Sequence, residues 1–193
     1  MLYKYRSIQG FRFFTDIILK QRLYSAPYFA LNDPMEGRYL YNQSGGIIDE
    51  DMRQLLKGEK EKVRICSLSR DPNNELMWAH YAEGNKGVAI GVDVDRNKYE
   101  IRPIIYNGLH QVGLNNFHSG SAIDVLSHKL DVWQYEKEER VFVHNKYYVN
   151  VTVRKIICGS RMSKQDVGFI TELVEKIDPS IEIINARTNS AYV

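Results

Sequence analysis

The sequence has little cysteine and no long apolar run. Cys66 and Cys158 are the two cysteines among 193 residues, and both lie in apolar segments. This is typical of reduced, buried thiols and not of a disulfide framework. No stretch approaches the roughly 18 apolar residues of a transmembrane helix, and the first residues lack the apolar segment of a signal peptide. We therefore expect a cytoplasmic protein with no membrane partner.

A strong charge of either sign is also missing. Twenty-six Lys and Arg against 24 Asp and Glu give a net charge of +2, too small to neutralise a polynucleotide backbone, so nucleic acid is not an expected partner. The five histidines show no paired spacing with carboxylates or cysteines, so no metal site is expected. Neither the GxxxxGK[ST] nor the GxGxxG phosphate-binding loop occurs.

What remains is an ordinary globular composition, with 44% apolar and 26% charged residues. A chain of this length forms one domain with a substantial core, so we expect a single domain over residues 1–193. Tyr is frequent, with 13 copies against 7 Phe. Tyr suits half-buried strands and ligand-lining walls, which is compatible with a cleft.

The hydrophobic pattern predicts strands and helices that do not alternate strictly. Strands are predicted at 2–6, 23–25, 63–69, 87–94, 99–106, 138–143, 148–158 and 181–184. Helices are predicted at 16–21 (capped by Thr15), 48–56 (ended by Gly58), 75–83 (capped by Asn74), from about 121 to 133, and at 164–177 (capped by Ser163). This order favours an α+β fold with a mixed or mainly antiparallel sheet and about five helices. The strands at 138–143 and 148–158 are predicted to pair.

The segment from Lys129 to Val143 concentrates charge beside apolar residues. It carries Glu136, Glu138, Glu139 and Arg140 within five positions. At least one carboxylate is therefore expected in the interior, and Trp133 is expected to pack beneath it. On a strand, Glu138 and Arg140 share a face. They either neutralise each other as a structural pair, or the carboxylate belongs to an active site.

The predicted helix at 75–83 places Trp78, His80 and Tyr81 close together. Trp78 and Tyr81 are three residues apart and can form a wall for a flat ligand. The alternative is that Trp78 and Tyr81 belong to the core and His80 is a hydrogen-bonded core histidine.

Five motifs together resemble a widespread bacterial and phage-associated family of domains of unknown function. They are LYKYRS at 2–7, LNDPMEG at 31–37, MWAHYAEGNKGVAIGV at 77–92, WQYEKEERV at 133–141 with Lys129 ahead of it, and KIICGSRMS at 155–163. The resemblance covers nearly the whole chain, although Leu31 stands where that family more often has Phe. It implies no particular reaction.

A more distant resemblance is to ADP-ribosyltransferase-like domains. These carry an early Arg or His, a middle polar or aromatic residue and a late Glu, often in a Glu-x-Glu pair. Arg6, then His80 or Tyr81, then Glu136 and Glu138 follow that order here. The resemblance implies that Arg6 holds a pyrophosphate, Tyr81 stacks on nicotinamide and Glu138 acts on the ribose. Trp78, His80 and Arg140 are further candidate cofactor-binding residues.

Three hypotheses follow. The first is an enzyme that uses NAD as a substrate to modify a protein, another macromolecule or a small molecule, with a role in conflict between bacteria and phages. The second is a non-catalytic sensor module in which the same residues bind a nucleotide or small molecule. The third is a buried polar network that only stabilises the fold. Either of the first two predicts that Arg6, Tyr81 and Glu138 line a common cleft.

Overall fold

The computed structural model describes residues 1–42, 44 and 46–186. The described strands are β1 (Leu2–Arg6), β2 (Arg22–Tyr24), β3 (Ala26–Pro27), β4 (Tyr39–Tyr41), β5 (Val63–Ser69), β6 (Val88–Asp93), β7 (Glu100–Pro103), β8 (His110–Val112), β9 (Glu138–His144), β10 (Tyr148–Asn150), β11 (Thr152–Cys158) and β12 (Glu182–Asn185). The α-helices are α1 (Phe11–Lys20), α2 (Glu50–Lys62), α3 (Glu75–Tyr81), α4 (Ser121–Val125) and α5 (Lys164–Ile177). Short 3-10 helices cover Tyr28–Ala30 and Asp131–Glu136.

Most of the strands form one sheet in the order β12-β11-β6-β1-β5-β9-β7, and β3 also pairs with β5. The pairing is antiparallel except between β11 and β12. Two further ribbons join β10 to β2 and β4 to β8. The predicted α+β class with a mainly antiparallel sheet is confirmed.

Alternation along the strands sends apolar side chains to both faces of the sheet. In β6, Val88 and Ile90 pack in a core shared with α1 and α5, while Ala89 packs with Trp78 of α3 on the opposite face. Farther along that second face, Phe142 of β9 packs against Leu126, just after α4. Helices therefore cover both sides of the central strands, and β9 with its charged residues lies one strand in from the β7 edge.

Strand β5 changes partner along its length. Ser69 is paired with Tyr3 of β1, whereas Ile65 is paired with Ala26 of β3. Between these pairs, the ammonium of Lys4 donates a hydrogen bond to the carbonyl oxygen of Ser67 at 3.0 Å. A side chain thus replaces main-chain pairing, and β1 and β5 separate beyond a single residue pair.

Helix caps predicted from sequence are present at two helices. The side chain of Asn74 accepts a hydrogen bond from the backbone N–H of Met77, and Ser163 accepts one from Asp166. The predictions for two other helix ends are wrong. Helix α1 begins at Phe11, so Thr15 lies inside it and donates to the Phe11 carbonyl. Helix α2 continues through Gly58, because Lys60 is buried and bonds the carbonyl of Gly37 at 2.8 Å.

The predicted helix at 121–133 is also wrong. Helix α4 ends at Val125, and His128 then forms an isolated β-bridge with Ile105. The N–H of Ile105 donates to the Ser127 carbonyl, and the N–H of Lys129 donates to the Ile105 carbonyl. These tertiary bonds compete with helix continuation and set the position of Lys129.

The predicted pairing of 138–143 with 148–158 is wrong as well. Strand β9 lies between β5 and β7, whereas β10 pairs with β2, and β11 lies between β6 and β12. A strand pair that is adjacent in sequence is thus separated in space. Among the described residues, no helix combines the length and apolar character needed to cross a membrane.

Candidate functional site

A cleft of about 1010 Å³ opens where β1 and β5 separate. Small-molecule sites usually enclose roughly 300–1,000 Å³, so the cleft has room for a large ligand. Its lining includes two chemically distinct groups. We call Asn32, Tyr81, Lys129, Glu136, Glu138 and Arg140 the carboxylate end, and Lys4, Arg6, Arg12 and Arg22 the arginine end.

The chain enters the carboxylate end through the 3-10 helix that precedes β9. That helix ends with Lys137 in the left-handed conformation (φ 45°), and the Ser69 hydroxyl donates to the Glu136 carbonyl at 2.7 Å. Lys137 points outward to Asp71, while Glu136 and Glu138 on either side of it are each 4% exposed. The turn thereby buries two carboxylates separated by one residue.

Glu138 is held by Arg140, its neighbour on the same face of β9. The Arg140 Nε lies 2.8 Å from Oε1 of Glu138, and Nη2 lies 3.2 Å from Oε2. On its other side, Arg140 donates to both oxygens of Glu36, at 2.6 and 2.7 Å. Arg140 is completely buried, so the two carboxylates supply the charge that this guanidinium needs in the interior.

This pairing shifts the pKa values of all three groups. Burial alone would raise the pKa of Glu138, but the charges of Arg140 and Lys129 outweigh it and hold the pKa at about 2. Burial would likewise lower the pKa of Arg140, but Glu138 and Glu36 raise it above its usual value. Burial raises the pKa of Glu36, and Arg140 offsets only part of that effect. Glu138 therefore remains ionised well into the acid range.

Glu136 has different partners. The ammonium of Lys129 lies 2.6 Å from Oε2 of Glu136, and the Tyr81 hydroxyl donates to Oε1 at 2.5 Å. Asn32 in turn donates to the oxygen of Tyr81. Burial, followed by the hydrogen bond to Glu136, raises the pKa of Tyr81, which keeps the phenol protonated as a donor. Loop, helix and strand residues far apart in sequence thus converge on one carboxylate.

Lys129 connects the two carboxylates. Its Nζ is 3.5 Å from Oε2 of Glu138 as well as 2.6 Å from Glu136, and its side chain is 3% exposed. The cluster contains three carboxylates (Glu36, Glu136 and Glu138) and two cations (Lys129 and Arg140). With all five groups ionised, the cluster carries one excess negative charge, but Glu36 does not line the cleft, so the charged side chains of the carboxylate end itself sum to zero.

The arginine end is less completely paired. Among the described residues, no carboxylate pairs with Arg6 or Arg12, and the Nε of Arg6 is buried without a hydrogen-bond partner. Burial lowers the pKa of Arg6, and its guanidinium lies 5.2 Å from the centroid of the exposed Phe13 ring. Arg22 differs, because Asp16 binds it through two hydrogen bonds of 3.0 Å. An anion entering the cleft would therefore meet unpaired guanidinium groups.

Arg6, Tyr81 and Glu138 line this one cleft together with Glu136 and Arg140. Arg140, a predicted cofactor-binding residue, lies at the base of the cleft with its donors already engaged by protein acceptors. The expected convergence of Arg6, Tyr81 and Glu138 on one cleft is thus present.

Trp78 and His80 do not line the cleft. Trp78 is 5% exposed, packs edge-on against Tyr5 with ring centroids 5.2 Å apart and donates to the Pro72 carbonyl. It is a core residue, which is the alternative stated for it from sequence. His80 is exposed, so the alternative of a buried core histidine is wrong for it, because α3 directs Met77 and Trp78 inward. Trp133 is partly buried and its ring contacts Lys129, with the ammonium 4.6 Å from the centroid.

Several residues of the site escaped sequence reasoning. Glu36 and Asn32 lie in the LNDPMEG loop at 31–37, for which the family resemblance implies no chemical role. Glu36 is 104 positions from Arg140, and no local pattern reports a pair at that separation. In the sequence, Lys129 has no signal beyond its place ahead of the WQYEKEERV motif. Its burial between two carboxylates depends on the bridge to Ile105.

Comparison with protein-family models, with curated proteins and with solved structures found no match for this chain. The described residues contain no group of three or more His, Cys, Asp or Glu side chains arranged to hold a metal ion. The candidate site therefore rests on the geometry and charges of the cleft.

Proposed function

We propose that this protein uses NAD in the manner of ADP-ribosyltransferase-like domains, breaking the bond between nicotinamide and ribose. The observation that carries the proposal is the meeting of unpaired arginines and two buried carboxylates in one cleft of about 1010 Å³. NAD has matching parts, because its pyrophosphate is anionic and its reacting ribose becomes positively charged in the transition state.

The chemistry requires negative charge beside the reacting carbon. As the bond between the nicotinamide nitrogen and C1′ of the ribose breaks, nicotinamide leaves with the bonding electrons and positive charge develops on the ribose. A fixed carboxylate stabilises that charge without reorganisation. The acceptor's nucleophile then bonds to C1′ and releases its proton to solvent. At the carboxylate end of this cleft, the fixed carboxylates available to meet the ribose are those of Glu136 and Glu138.

Of the two carboxylates, Glu136 is better placed to act. Both carboxylates have two engaged oxygens, but those of Glu138 are bound by the completely buried Arg140, whereas Oε1 of Glu136 accepts from the neutral phenol of the half-buried Tyr81. Tyr81 places an aromatic ring directly beside Glu136, where it can stack on nicotinamide. In this assignment Glu138 positions Arg140 and Lys129, and Glu136 faces the ribose.

The test is nicotinamide release from NAD by the purified protein, measured by chromatography. We expect Glu136→Gln to lower the rate about 100-fold or more, since it keeps the shape but removes the charge. Glu139→Gln is the matched control, because Glu139 lies on the opposite face of β9 and pairs with the exposed Arg96. Absence of both nicotinamide release and thermal stabilisation by NAD in the wild-type protein would refute the proposal.

A second function, a non-catalytic nucleotide sensor, is favoured by the tight pairing of the carboxylates. A carboxylate already bound by Lys129 or Arg140 has less charge to offer a ligand. The same experiment separates the two functions. A sensor would be stabilised by NAD or another nucleotide, would release no nicotinamide, and would keep its ligand affinity in Glu136→Gln.

A further inference from the structure

The mouth of the cleft carries exposed aromatic rings that the proposed reaction does not use. Tyr24 of β2 and Tyr148 of β10 are 52% and 40% exposed, and both line the cleft. Phe13 of α1 lines the same cleft and is 61% exposed. Clustered exposed rings at a concave surface mark a binding site more often than isolated ones do.

The ribbon of β2 and β10 holds these rings in place. Tyr24 and Tyr148 are directly opposite each other in the antiparallel pair, with ring centroids 6.0 Å apart in an edge-on arrangement. The Arg22 guanidinium covers the Tyr148 ring at 3.8 Å from its centroid, and Asp16 fixes that guanidinium through two hydrogen bonds. Val149, the residue after Tyr148 and the partner of Leu23 in the ribbon, is fully buried and anchors the ribbon. Tyr24 thus presents a preorganised ring at the cleft mouth.

We infer that Tyr24 forms a stacking subsite for a nucleobase whose phosphates extend toward Arg6 and Arg12. Aromatic rings stack on any nucleobase, because every base has a flat π face. The two arginines have no carboxylate partner among the described residues and supply the positive charge that phosphates require. An aliphatic ligand would use the rings but leave these cations unmatched, so a nucleoside diphosphate fits the combination better.

This subsite rests on the proposed function in one respect, since it assigns the adenosine part of NAD to the mouth and leaves the nicotinamide part to the carboxylate end. Its ligand chemistry is nevertheless testable without any reaction. ADP carries the base and both phosphates but has no bond to nicotinamide. Inorganic pyrophosphate carries the phosphates without a base.

The experiment is calorimetric titration of the full chain with ADP and with pyrophosphate. We expect Tyr24→Ala to weaken ADP binding at least about fivefold, the lower end of what stacking on one aromatic residue contributes. Pyrophosphate binding should stay unchanged. Tyr24→Phe keeps the ring and should bind ADP as the wild type does.

Tyr147→Ala is the matched control. Tyr147 is 56% exposed and stacks near Arg64, with the guanidinium 4.8 Å from its ring, but it does not line the cleft. Its loss should leave ADP affinity unchanged. The subsite is overturned if Tyr24→Ala binds ADP with the affinity of the wild type, or if the substitution weakens pyrophosphate binding as much as ADP binding. It is also overturned if the wild-type protein binds ADP no more tightly than pyrophosphate.

The outcomes for the subsite and for the reaction are distinguishable. Tyr24-dependent ADP binding without nicotinamide release supports the subsite and removes the proposed reaction. Nicotinamide release with the same KM for NAD in Tyr24→Ala supports the reaction and removes the subsite.

Discussion

The two ends of the cleft differ in how their buried cations are paired. At the carboxylate end, Arg140 is completely buried and its donors meet Glu36, Glu138 and a main-chain carbonyl. At the arginine end, Arg6 buries its Nε with no partner, and burial lowers its pKa. One end is complete before any ligand arrives, whereas the other has charge left to match.

Between Arg140, with Glu36 and Glu138, and Arg6, this difference separates residues that stabilise the fold from a residue that awaits a ligand. Removing one partner of a buried ion pair lowers the stability strongly, because the charge of the other partner is left uncompensated in the interior. An unpaired cation contributes little to folding, but it contributes to the affinity for an anion. Substitutions at the two ends should therefore affect different measurements.

The largest expected effect is at Arg140. Arg140→Leu leaves Glu36 buried without a cation and Glu138 with only Lys129, 3.5 Å away, so we expect the free energy of unfolding to fall by about 3–5 kcal/mol. Urea denaturation measures this change. The triple variant Glu36→Gln, Arg140→Met, Glu138→Gln removes all three charges and should recover most of the loss.

Arg96→Leu is the matched control for Arg140→Leu. Arg96 pairs with Glu139 on the other face of β9 but is 60% exposed, so its loss should change the free energy of unfolding by less than about 1 kcal/mol. Equal losses for the two variants would contradict the distinction between the buried and exposed pairs.

The next effect is the dependence of stability on pH. The pKa of Glu138 falls from 4.5 to about 2 on folding, so its contribution is fully present above pH 4.5. It is lost as the pH falls from 4.5 toward 2, because the unfolded chain takes up the proton first. At about 1.4 kcal/mol per pKa unit, the contribution is about 3 kcal/mol.

Urea denaturation at a series of pH values between 5 and 3 tests this prediction. Glu138→Gln should flatten the decline, whereas Glu139→Gln should leave it steep. Glu36 has the opposite sign, since its raised pKa means that ionisation above pH 4.5 lowers stability. An unchanged decline in Glu138→Gln would assign the acid sensitivity to other groups.

The smallest effect on stability is expected at Arg6. Arg6→Gln removes a partly buried cation without breaking an ion pair, so the free energy of unfolding should change by less than about 1 kcal/mol. Binding of pyrophosphate and ADP should weaken about 10- to 100-fold, the range for a lost charge-assisted hydrogen bond. Calorimetry measures the affinity.

Arg154→Gln provides the comparison for Arg6→Gln. Arg154 is exposed, pairs with Asp93 and lies outside the cleft. If both variants weaken pyrophosphate binding equally, the net charge of the protein and not the arginine end of the cleft governs affinity.

Elements governed by local signals were predictable. Strand β5 has the predicted bounds, because Val63–Ser69 is a short β-branched and apolar run. The caps Asn74 and Ser163 follow from a local signal, because a capping side chain bonds a backbone N–H two or three residues away. The shared face of Glu138 and Arg140 followed from strand alternation.

Elements governed by partners distant in sequence were not predictable. The helix predicted over 121–133 fails because the chain at 127–129 bonds Ile105 instead of its own preceding turn. The predicted pairing of 138–143 with 148–158 fails because β9 inserts between β5 and β7, whose sequences lie far from it. The cleft itself exists because β5 exchanges β1 for β3 as its partner.

The sequence alone determined the α+β class, most strand positions and the presence of an acidic residue in the interior before β9. These depend on periodicity and propensity, which are properties of neighbouring residues. Only the tertiary structure decided which carboxylate Arg140 holds, which one Tyr81 and Lys129 hold, and which arginines remain unpaired. Those assignments depend on charges brought within about 3 Å by folding, and Coulomb energies at that distance are set by spatial position and burial, not by order along the chain.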